Sequence, residues 1–307
     1  MSVPEADWIA ELKPAPAGVE YLEWDLSGRA PRTDIDIVVP SYLGDRSRLA
    51  RLTELSQLRL VQTLTAGYED VLPYLPPGVA LANAAGVHDA STAELAVGLA
   101  IAALRGVAAH VRSQAAGEWR PTFGTSLADR KVLLIGYGGV GRAVARRLAG
   151  FEVQLTAVAS RAREGVDDIV GGPVHGVEEL PELVPEHDVV ILTVPLTDAT
   201  RGLVDAAFLR AMPDHALLVN VARGAVVVTD ALLAELVTGR LIAAVDVVDP
   251  EPLPPGHPLW VQEGLLLTPH VGGASSAFRP RAIALLRGLA ERLSAGEPPE
   301  RIVVPGG

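Results

Sequence analysis

A short apolar run that leads straight into a glycine-rich turn constrains the fold of this chain more than any other feature. Residues 132–135 form the run, and a helix-like segment follows the turn. In the G-x-G-x-x-G pattern the first glycine makes a tight turn, the second lets a pyrophosphate approach the backbone, and the third lets helix and strand pack closely. N–H groups at the helix start also complement phosphate charge. The pattern predicts dinucleotide binding, and a glycine turn with only a structural role is the alternative. The predicted cofactor-binding residues of the turn are Gly136, Gly138, Gly139, Val140 and Gly141.

The residues that follow the next predicted strand, 153–158, indicate which dinucleotide is bound. A unit that binds NAD places Asp or Glu at the end of this strand to hold the ribose 2′-hydroxyl. Residues 159–163 supply no acid here. Ser160 can instead donate a hydrogen bond to a 2′-phosphate, and Arg161 or Arg163 can pair with its charge. The sequence therefore predicts NADP(H) as the preferred cofactor, with NAD(H) beside a solvated basic turn as the alternative.

Apolar runs and helix-like segments alternate along most of the chain. Before the glycine-rich turn, strands are predicted at 18–22, 35–39, 60–63 and 79–83, and helices at 47–55 and 69–75. After the turn, strands are predicted at 153–158, 189–192, 217–221, 242–247 and 265–268, and helices at 139–149, 178–184, 205–211 and 230–238. A single long helix is predicted at 91–115, and a last helix at 276–293. Alternation of this kind predicts an α/β fold with doubly wound parallel sheets.

Composition excludes several chemistries. The 307-residue chain has no cysteine, so it cannot form a disulfide, a zinc–cysteine site or an iron–sulfur cluster, and no thiolate nucleophile is available. Its 37 acidic and 26 basic residues give a net charge of −11, which argues against a nucleic-acid partner. The longest apolar run, 95–104, is about half of the ~20 residues that a membrane-spanning helix needs. Since no targeting segment is recognised either, we expect a cytoplasmic protein with no membrane partner, and we assign no metal site.

Three chemically versatile side chains each follow the end of a predicted strand. Arg223 follows strand 217–221, Glu251 lies beyond strand 242–247, and His270 follows strand 265–268. In open α/β sheets this carboxyl edge is where ligands bind. Taken singly, each has an ordinary interpretation: a surface salt bridge, a solvated loop carboxylate and a loop histidine with its hydrogen bonds satisfied. Their recurrence at three strand ends favours a shared site.

The chemistry of these groups matches reversible hydride transfer to a 2-oxo acid. Arg223 can bind the substrate carboxylate through a bidentate pair of hydrogen bonds. Histidines titrate near neutral pH, so His270 can supply the proton that the carbonyl oxygen needs as the hydride arrives. A neighbouring Glu251 would orient His270 and stabilise its charged form. Asp246, at a strand end, could accept a hydrogen bond from the nicotinamide carboxamide.

In order and spacing, these motifs resemble the D-isomer-specific 2-hydroxyacid dehydrogenases, a family that includes phosphoglycerate dehydrogenases, glyoxylate/hydroxypyruvate reductases and formate dehydrogenase. The resemblance covers residues 60–273. It rests on the glycine-rich turn, Pro195-Leu196-Thr197 with Thr200, Asn220-Val221-Ala222-Arg223-Gly224, the segment from Asp246 to Leu253, and Pro269-His270-Val271-Gly272-Gly273. It implies that Arg223, Glu251 and His270 are catalytic and that a hydride passes between NAD(P)H and a small 2-oxo acid, giving the D-2-hydroxy acid.

The resemblance also implies roles that residue chemistry alone does not identify. Backbone N–H groups of Ala66 and Gly67 would bind the substrate carboxylate, beside Arg223 and His270. A Rossmann NAD(P)-binding domain would span 91–274, and a smaller flavodoxin-like substrate domain would combine 1–90 with 275–307. Family members are usually homodimers with the long helix at the interface, so we expect a homodimer. Further cofactor contacts would come from Pro195, Thr200, Ala222 and Gly273.

Other functions within this fold remain as alternatives. A 3-phosphoglycerate dehydrogenase would need a further cation for the substrate phosphate, and no residue is assigned to that task. Formate dehydrogenase is disfavoured because that activity resembles a site with Gln in place of Glu251. A non-catalytic nucleotide-sensing protein could retain the same trio, so turnover is needed to separate it from a reductase. One departure from the family pattern is Glu152, which stands where the family often has glycine.

Overall fold

Each of the two alternating series forms its own parallel sheet. The computed structural model describes all residues 1–307. The chain divides into a discontinuous unit, Met1–His88 with Ser276–Gly307, and a central unit, Asp89–Ser275. The boundaries expected from the sequence, after residues 90 and 274, differ from these by two residues and one residue.

The discontinuous unit has a six-stranded sheet. Its strands are β1 (Ser2–Val3), β2 (Leu22–Glu23), β3 (Ile37–Val38), β4 (Leu60–Gln62), β5 (Ala80–Ala82) and β13 (Ile302–Val304). They lie in the order β13-β5-β4-β3-β1-β2, and only β13 is antiparallel to its neighbour. The five parallel strands therefore have the flavodoxin-like order 2-1-3-4-5. Helices α1 (Ala6–Leu12) and α8 (Phe278–Ser294) cover one face of this sheet, and short 3-10 segments cover the other.

Several elements of this unit differ from those predicted from the sequence, and others were not predicted. The helices predicted at 47–55 and 69–75 are 3-10 segments, Arg46–Glu54 and Leu72–Tyr74. The N-terminal strand β1 and helix α1 were not predicted, nor was β13 in the proline-rich tail. These elements have at most seven residues, so their apolar side chains are too few to give a periodic signal. Burial of Val3, Trp8 and Leu12 in the core stabilises them instead.

The central unit has a seven-stranded sheet in which every pairing is parallel. Its strands are β6 (Lys131–Ile135), β7 (Gln154–Ala159), β8 (Val174–Gly176), β9 (Val189–Leu192), β10 (Leu217–Asn220), β11 (Ile242–Val245) and β12 (Leu265–Leu267). Its helices are α2 (Asp89–Leu104), α3 (Val107–Ala115), α4 (Gly139–Leu148), α5 (Leu180–Leu183), α6 (Ala206–Ala211) and α7 (Thr229–Val237). The order β12-β11-β10-β9-β6-β7-β8 is the Rossmann order 3-2-1-4-5-6 with one strand added at the edge.

Residues 132–135 of strand β6 are all apolar because the strand is buried on both faces of the sheet. Val132 and Leu134 pack into the core on the face covered by α2 and α4, whereas Leu133 and Ile135 pack into the core on the face covered by α6 and α7. All four side chains are fully buried. A central parallel strand covered by helices on both faces needs apolar residues at every position. The strand delivers Gly136 to the carboxyl edge of the sheet.

The prediction of a single long helix at 91–115 is wrong. Two helices, α2 and α3, meet at a bend of 67°, and Gly106 takes a left-handed φ of +64° between them. The segment at 124–125 packs against this bend: the Leu104 carbonyl accepts from Thr125 N at 3.0 Å. Half of the side chains of α2 are buried, whereas α3 buries none. No single helix is long and apolar enough to cross a membrane, and the bent pair meets that criterion only when both helices are taken together, by length and composition.

Candidate active site

The carboxyl ends of β10, β11 and β12 lie side by side. Asn220, the last residue of β10, is in register with Val245 of β11, and Val245 is in register with Leu267 of β12. The segments that carry the three predicted catalytic side chains therefore leave the sheet at one level. The connections among these segments determine the geometry of the site.

Buried Asn220 shapes the turn that carries Arg223. The Asn220 side chain donates from Nδ2 to the Arg223 carbonyl at 3.0 Å and accepts from Ala222 N at 3.0 Å. Arg223 itself donates from Nη1 to the Ala222 carbonyl at 2.7 Å. The next residue, Gly224, packs on the backbone of Val248, and a Cβ at this position would overlap the Val248 carbonyl. Glycine thus allows the Arg223 turn to lie against the loop that leads to Glu251.

Asp246 organises the loop that carries His270. Its side chain is only 2% exposed. Oδ1 accepts from Thr268 Oγ1 at 2.6 Å and from Val271 N at 2.9 Å, and Oδ2 accepts from Gly272 N at 2.8 Å. The Asp246 carbonyl also accepts from His270 N at 2.7 Å. His270 has a left-handed φ of +53°, which costs a non-glycine residue roughly 1–2 kcal/mol, and the Asp246 bonds hold it there.

His270 and Glu251 form a direct pair. His270 Nδ1 lies 2.5 Å from Glu251 Oε1, and the side chains are 45% and 39% exposed. Because Nδ1 faces the carboxylate, Nε2 is the ring nitrogen that can exchange a proton with a substrate. The carboxylate at Nδ1 orients the ring. The pair has the arrangement that a general acid and its orienting carboxylate would need.

The glycine-rich turn fits a dinucleotide pyrophosphate. Gly136 has a φ of +103°, and a Cβ there would lie 2.7 Å from the Thr193 carbonyl carbon. A Cβ on Gly141 would overlap the Gly136 carbonyl oxygen. Both glycines are therefore needed by the packing of the protein itself. Gly138 has nothing within 4 Å of its Cβ position, so that side of the turn is open to a ligand at the N-terminus of α4.

Comparison with known proteins identifies the family. Residues 97–272, more than half of the chain, match the NAD-binding domain model of the D-isomer specific 2-hydroxyacid dehydrogenases. The chain belongs to this family. It is an NAD(P)-dependent dehydrogenase that acts on the CH–OH group of 2-hydroxy acids.

Similarity to individual members of the family extends over most of the chain. The chain is 32% identical over 255 residues to a glyoxylate reductase of Thermofilum pendens, and the aligned region covers 80% of this chain and 75% of that protein. The chain is also 30% identical over 287 residues to a glyoxylate reductase/hydroxypyruvate reductase of Mus musculus, with 86% of this chain and 84% of that protein aligned. A crystal structure of a D-isomer specific 2-hydroxyacid dehydrogenase from Xanthobacter autotrophicus Py2 with NADPH and MES matches 99% of this chain and 97% of that one, with 26% identity and a TM-score of 0.77.

The other predicted cofactor contacts of this dehydrogenase lie in turns at the same edge of the central sheet. Thr200 closes the turn after β9, since its hydroxyl donates to the Pro195 carbonyl at 2.6 Å. Ala222 and Gly273 are buried in the turns after β10 and β12. Ser160 and Arg161 are exposed after β7. Contacts of these six residues with a cofactor stay predictions.

Ala66 and Gly67, the predicted substrate donors, lie in the loop after β4 of the discontinuous unit. Their carbonyl groups are occupied: Asn83 Nδ2 donates to Ala66 O at 2.8 Å, and Thr65 Oγ1 donates to Gly67 O at 2.6 Å. Neither residue's N–H donates to a group of the protein. The loop therefore presents two adjacent N–H donors, as a carboxylate would require.

Glu152, at the position where the family often has glycine, has a left-handed backbone conformation. Its φ is +52°, and its carbonyl accepts from Asp129 N at 3.0 Å. This left-handed conformation disfavours residues with a Cβ. The glutamate side chain is exposed, so it meets no steric conflict with other residues.

The sequence did not reveal that a carboxylate, Asp167, contacts the glycine-rich turn. Asp167, in the long connection after β7, accepts from the Tyr137 hydroxyl at 2.6 Å and from Arg142 Nη1 at 3.3 Å. Two backbone N–H groups, from Ile169 and Val170, also donate to it. Its Oδ1 is therefore occupied by three donors of the protein, and Oδ2 pairs with Arg142. The only local signal was a hydroxyl-bearing side chain, Tyr137, between the first two glycines.

Proposed function

We propose that this dehydrogenase reduces small 2-oxo acids of the glyoxylate and hydroxypyruvate class to D-2-hydroxy acids, with NADPH as the preferred reductant, and works in the cytoplasm as a homodimer. The observation that carries the proposal is the His270–Glu251 pair at 2.5 Å, on the sheet that also bears the open glycine-rich turn. The glyoxylate reductase and hydroxypyruvate reductase names of the relatives support the substrate class.

The side chains divide the reaction among them. A bound nicotinamide cofactor supplies the hydride to the carbonyl carbon of the substrate. Arg223 binds the substrate carboxylate through its guanidinium group. His270 donates a proton from Nε2 to the carbonyl oxygen, and Glu251 stabilises the charge on the ring before transfer. In the reverse direction, neutral His270 accepts the proton of the hydroxyl group.

The preference for NADPH rests on the residues after β7. Residues 159–163 contain no carboxylate, and Ser160 and Arg161 are exposed. Arg163 extends toward the glycine-rich turn, with Nη2 3.5 Å from the Tyr137 carbonyl. A 2′-phosphate at these positions would meet positive charge and a hydroxyl donor. The related Xanthobacter enzyme crystallised with NADPH supports the same choice.

Turnover with a panel of acids tests this function. The purified enzyme should oxidise NADPH with glyoxylate and hydroxypyruvate faster than with phenylpyruvate, because the phenyl-substituted acid needs a wider pocket. A charge-paired phosphate worth about 1.4 kcal/mol predicts a roughly tenfold higher kcat/KM for NADPH than for NADH. A clear preference for NADH would contradict the cofactor assignment. Turnover only with 3-phosphohydroxypyruvate would favour phosphoglycerate dehydrogenase, and no turnover with any acid would favour a nucleotide-sensing protein.

The homodimer is supported by the surface around α3. This helix buries none of its side chains. In the segment that follows, Trp119 is 96% exposed and Phe123 is fully exposed, and Val107 and Val111 of α3 are exposed as well. Large apolar side chains grouped in this way are typical of protein interfaces. A second copy of the chain is the partner that the family resemblance predicts.

Replacing Trp119 and Phe123 together with serine should convert the dimer to a monomer, because aromatic side chains contribute most to such interfaces. Sedimentation velocity at micromolar concentration measures the change. Trp260→Ser is the matched control, since Trp260 is a half-exposed tryptophan elsewhere on the central unit, and it should leave the dimer intact. A double variant that still sediments as a dimer would show that the interface lies elsewhere.

A further inference from the structure

A buried tyrosine and a partly buried aspartate form a pair that joins the glycine-rich turn to the connection between β7 and β8. Tyr137 is 2% exposed, and its hydroxyl donates to Asp167 Oδ1 at 2.6 Å. The same oxygen accepts from Ile169 N at 3.0 Å and Val170 N at 3.2 Å, and Oδ2 accepts from Arg142 Nη1 at 3.3 Å. The two residues are 30 positions apart, so the pair is a tertiary link and not a local turn.

The ionisation of the pair is fixed over ordinary assay conditions. Burial, followed by the hydrogen bond to Asp167, raises the pKa of Tyr137 to about 12. The hydrogen bond from Tyr137 lowers the pKa of the Asp167 carboxyl. A neutral phenol therefore donates to a carboxylate, which is a charge-assisted and strong hydrogen bond.

We call residues 160–173, between β7 and β8, the ribose loop, because it begins where the adenosine ribose of a dinucleotide would lie. Ile169 and Val170 of this loop pack against the core of the central unit, and two polar contacts hold it as well. Arg163 and Val174 exchange backbone hydrogen bonds at 2.8 and 3.3 Å, and Asp167 is tied to Tyr137. The loop contains Gly165, Gly171 and Gly172 and has no helix or strand of its own. The Tyr137–Asp167 hydrogen bond ties the middle of the loop to the glycine-rich turn, beside the Arg142–Asp167 ion pair and the packing of Ile169 and Val170 against the core.

The same tyrosine ring carries two arginines. The Cζ atoms of Arg142 and Arg163 lie 5.3 and 5.7 Å from the centroid of the Tyr137 ring. Arg142 is also paired with Asp167, whereas no carboxylate lies within ion-pair distance of Arg163. Cation–π contact and the Tyr137 carbonyl therefore position Arg163, and its charge stays available to an anion.

We propose that Tyr137 and Asp167 are positioning residues for cofactor specificity: they hold the ribose loop against the glycine-rich turn so that Arg161 and Arg163 meet a phosphate on the 2′ position of the adenosine ribose. This proposal rests on the proposed preference for NADPH. It assigns a role to a hydroxyl and a carboxylate that touch neither substrate nor nicotinamide. A purely structural pair would instead support binding of all dinucleotides equally.

Binding of nucleotide fragments separates these cases without turnover. Isothermal titration calorimetry measures the affinities for 2′,5′-ADP and for 5′-AMP, and their ratio gives the contribution of the 2′-phosphate to binding. Tyr137→Phe keeps the ring, its packing and both cation–π contacts, and it removes only the hydroxyl. We expect this variant to bind 2′,5′-ADP about tenfold more weakly, the size of a lost charge-assisted hydrogen bond, and to bind 5′-AMP within about twofold of the wild type. At saturating cofactor, kcat should be nearly unchanged.

A second position and a control sharpen the test. Asp167→Asn keeps an acceptor oxygen for Tyr137 and the two N–H groups, so it should preserve most of the discrimination. Asp167→Ala should lose at least as much as Tyr137→Phe, because it also removes the acceptor of Arg142, Ile169 and Val170. The double variant should be no worse than Asp167→Ala alone, because the Tyr137 hydroxyl acts through Asp167. Tyr74→Phe, which removes a tyrosine hydroxyl in the discontinuous unit, is the matched control and should change neither affinity.

Each outcome has one meaning. If the wild type binds 2′,5′-ADP no better than 5′-AMP, the NADPH preference fails and this proposal fails with it. If the wild type discriminates and Tyr137→Phe keeps the same ratio of affinities, only the positioning role is overturned. An equal loss for both fragments would assign the pair a structural role alone.

Discussion

Replacing His270 with alanine should lower kcat by ~10²–10⁴-fold, the usual contribution of a general acid. The substrate carbonyl would then receive its proton from water, and Glu251 would be left without the ring it orients. Because His270 has a φ of +53°, His270→Asn is a useful second variant: asparagine tolerates this conformation but is not an acid at neutral pH. Steady-state rates with glyoxylate and NADPH should fall by similar factors in both variants.

The chain contains its own control for this experiment. His175 on β8 forms a second histidine–glutamate pair, with Nδ1 2.6 Å from Glu179 Oε2. It lies at the other end of the sheet order from the strands that carry the proposed site, and we assign it no role in the reaction. His175→Ala should therefore leave kcat within about twofold, as expected for a substitution away from the chemistry. Near-normal rates for His270→Ala would refute the proposed acid.

The strand ends show what the sequence could predict. Arg223, Asp246 and His270 each follow a short apolar run, and runs of that kind form neighbouring parallel strands whose carboxyl ends meet at one edge. In the structure, the last residues of those strands are in register, and Glu251 contacts His270. The prediction worked because a strand end is a local pattern and the parallel sheet converts it into a position in space.

The elements that could not be predicted depend on contacts between distant segments. Tyr137 and Asp167 are linked across 30 residues, and nothing in the composition of the ribose loop marks one acid as a partner of the glycine-rich turn. The break between α2 and α3 is similar: the Ala-rich pattern continues past residue 104, and the bend coincides with packing by the segment at 124–125. Tertiary contacts of this kind outweigh helix propensity, which changes by less than about 1 kcal/mol per residue.

Asp246 was predicted from the sequence to accept hydrogen bonds, but its partners in the structure were not predicted. The sequence suggested an acceptor for the nicotinamide carboxamide. In the structure its carboxylate receives three hydrogen bonds from the loop around His270, from Thr268, Val271 and Gly272. Oδ2 receives only one of these, so it retains capacity for a further donor. The larger effect of this side chain is expected to come from positioning His270.

Replacing Asp246 with asparagine should lower kcat by ~10²-fold, since a displacement of about 1 Å in a reacting group costs that much. An asparagine has one acceptor oxygen, so its NH₂ group must face either Gly272 N or the pair formed by Thr268 Oγ1 and Val271 N. A buried donor facing a donor costs about 1–3 kcal/mol for each bond lost. The loop can relieve this cost by letting His270 leave its left-handed conformation. Rates per folded enzyme, with circular dichroism as the check on folding, measure the effect.

Two further variants test whether Asp246 acts through His270. Thr268→Val removes one donor without creating a donor–donor conflict, so its kcat should fall by less than about tenfold, between wild type and Asp246→Asn. In the His270→Ala background, Asp246→Asn should cost almost nothing more, because the group that it positions is already gone. If the two losses in kcat instead multiply, Asp246 contributes by a route independent of His270. A hydrogen bond to the nicotinamide carboxamide is then the contact to test, by measuring the affinity of Asp246→Asn for NADPH.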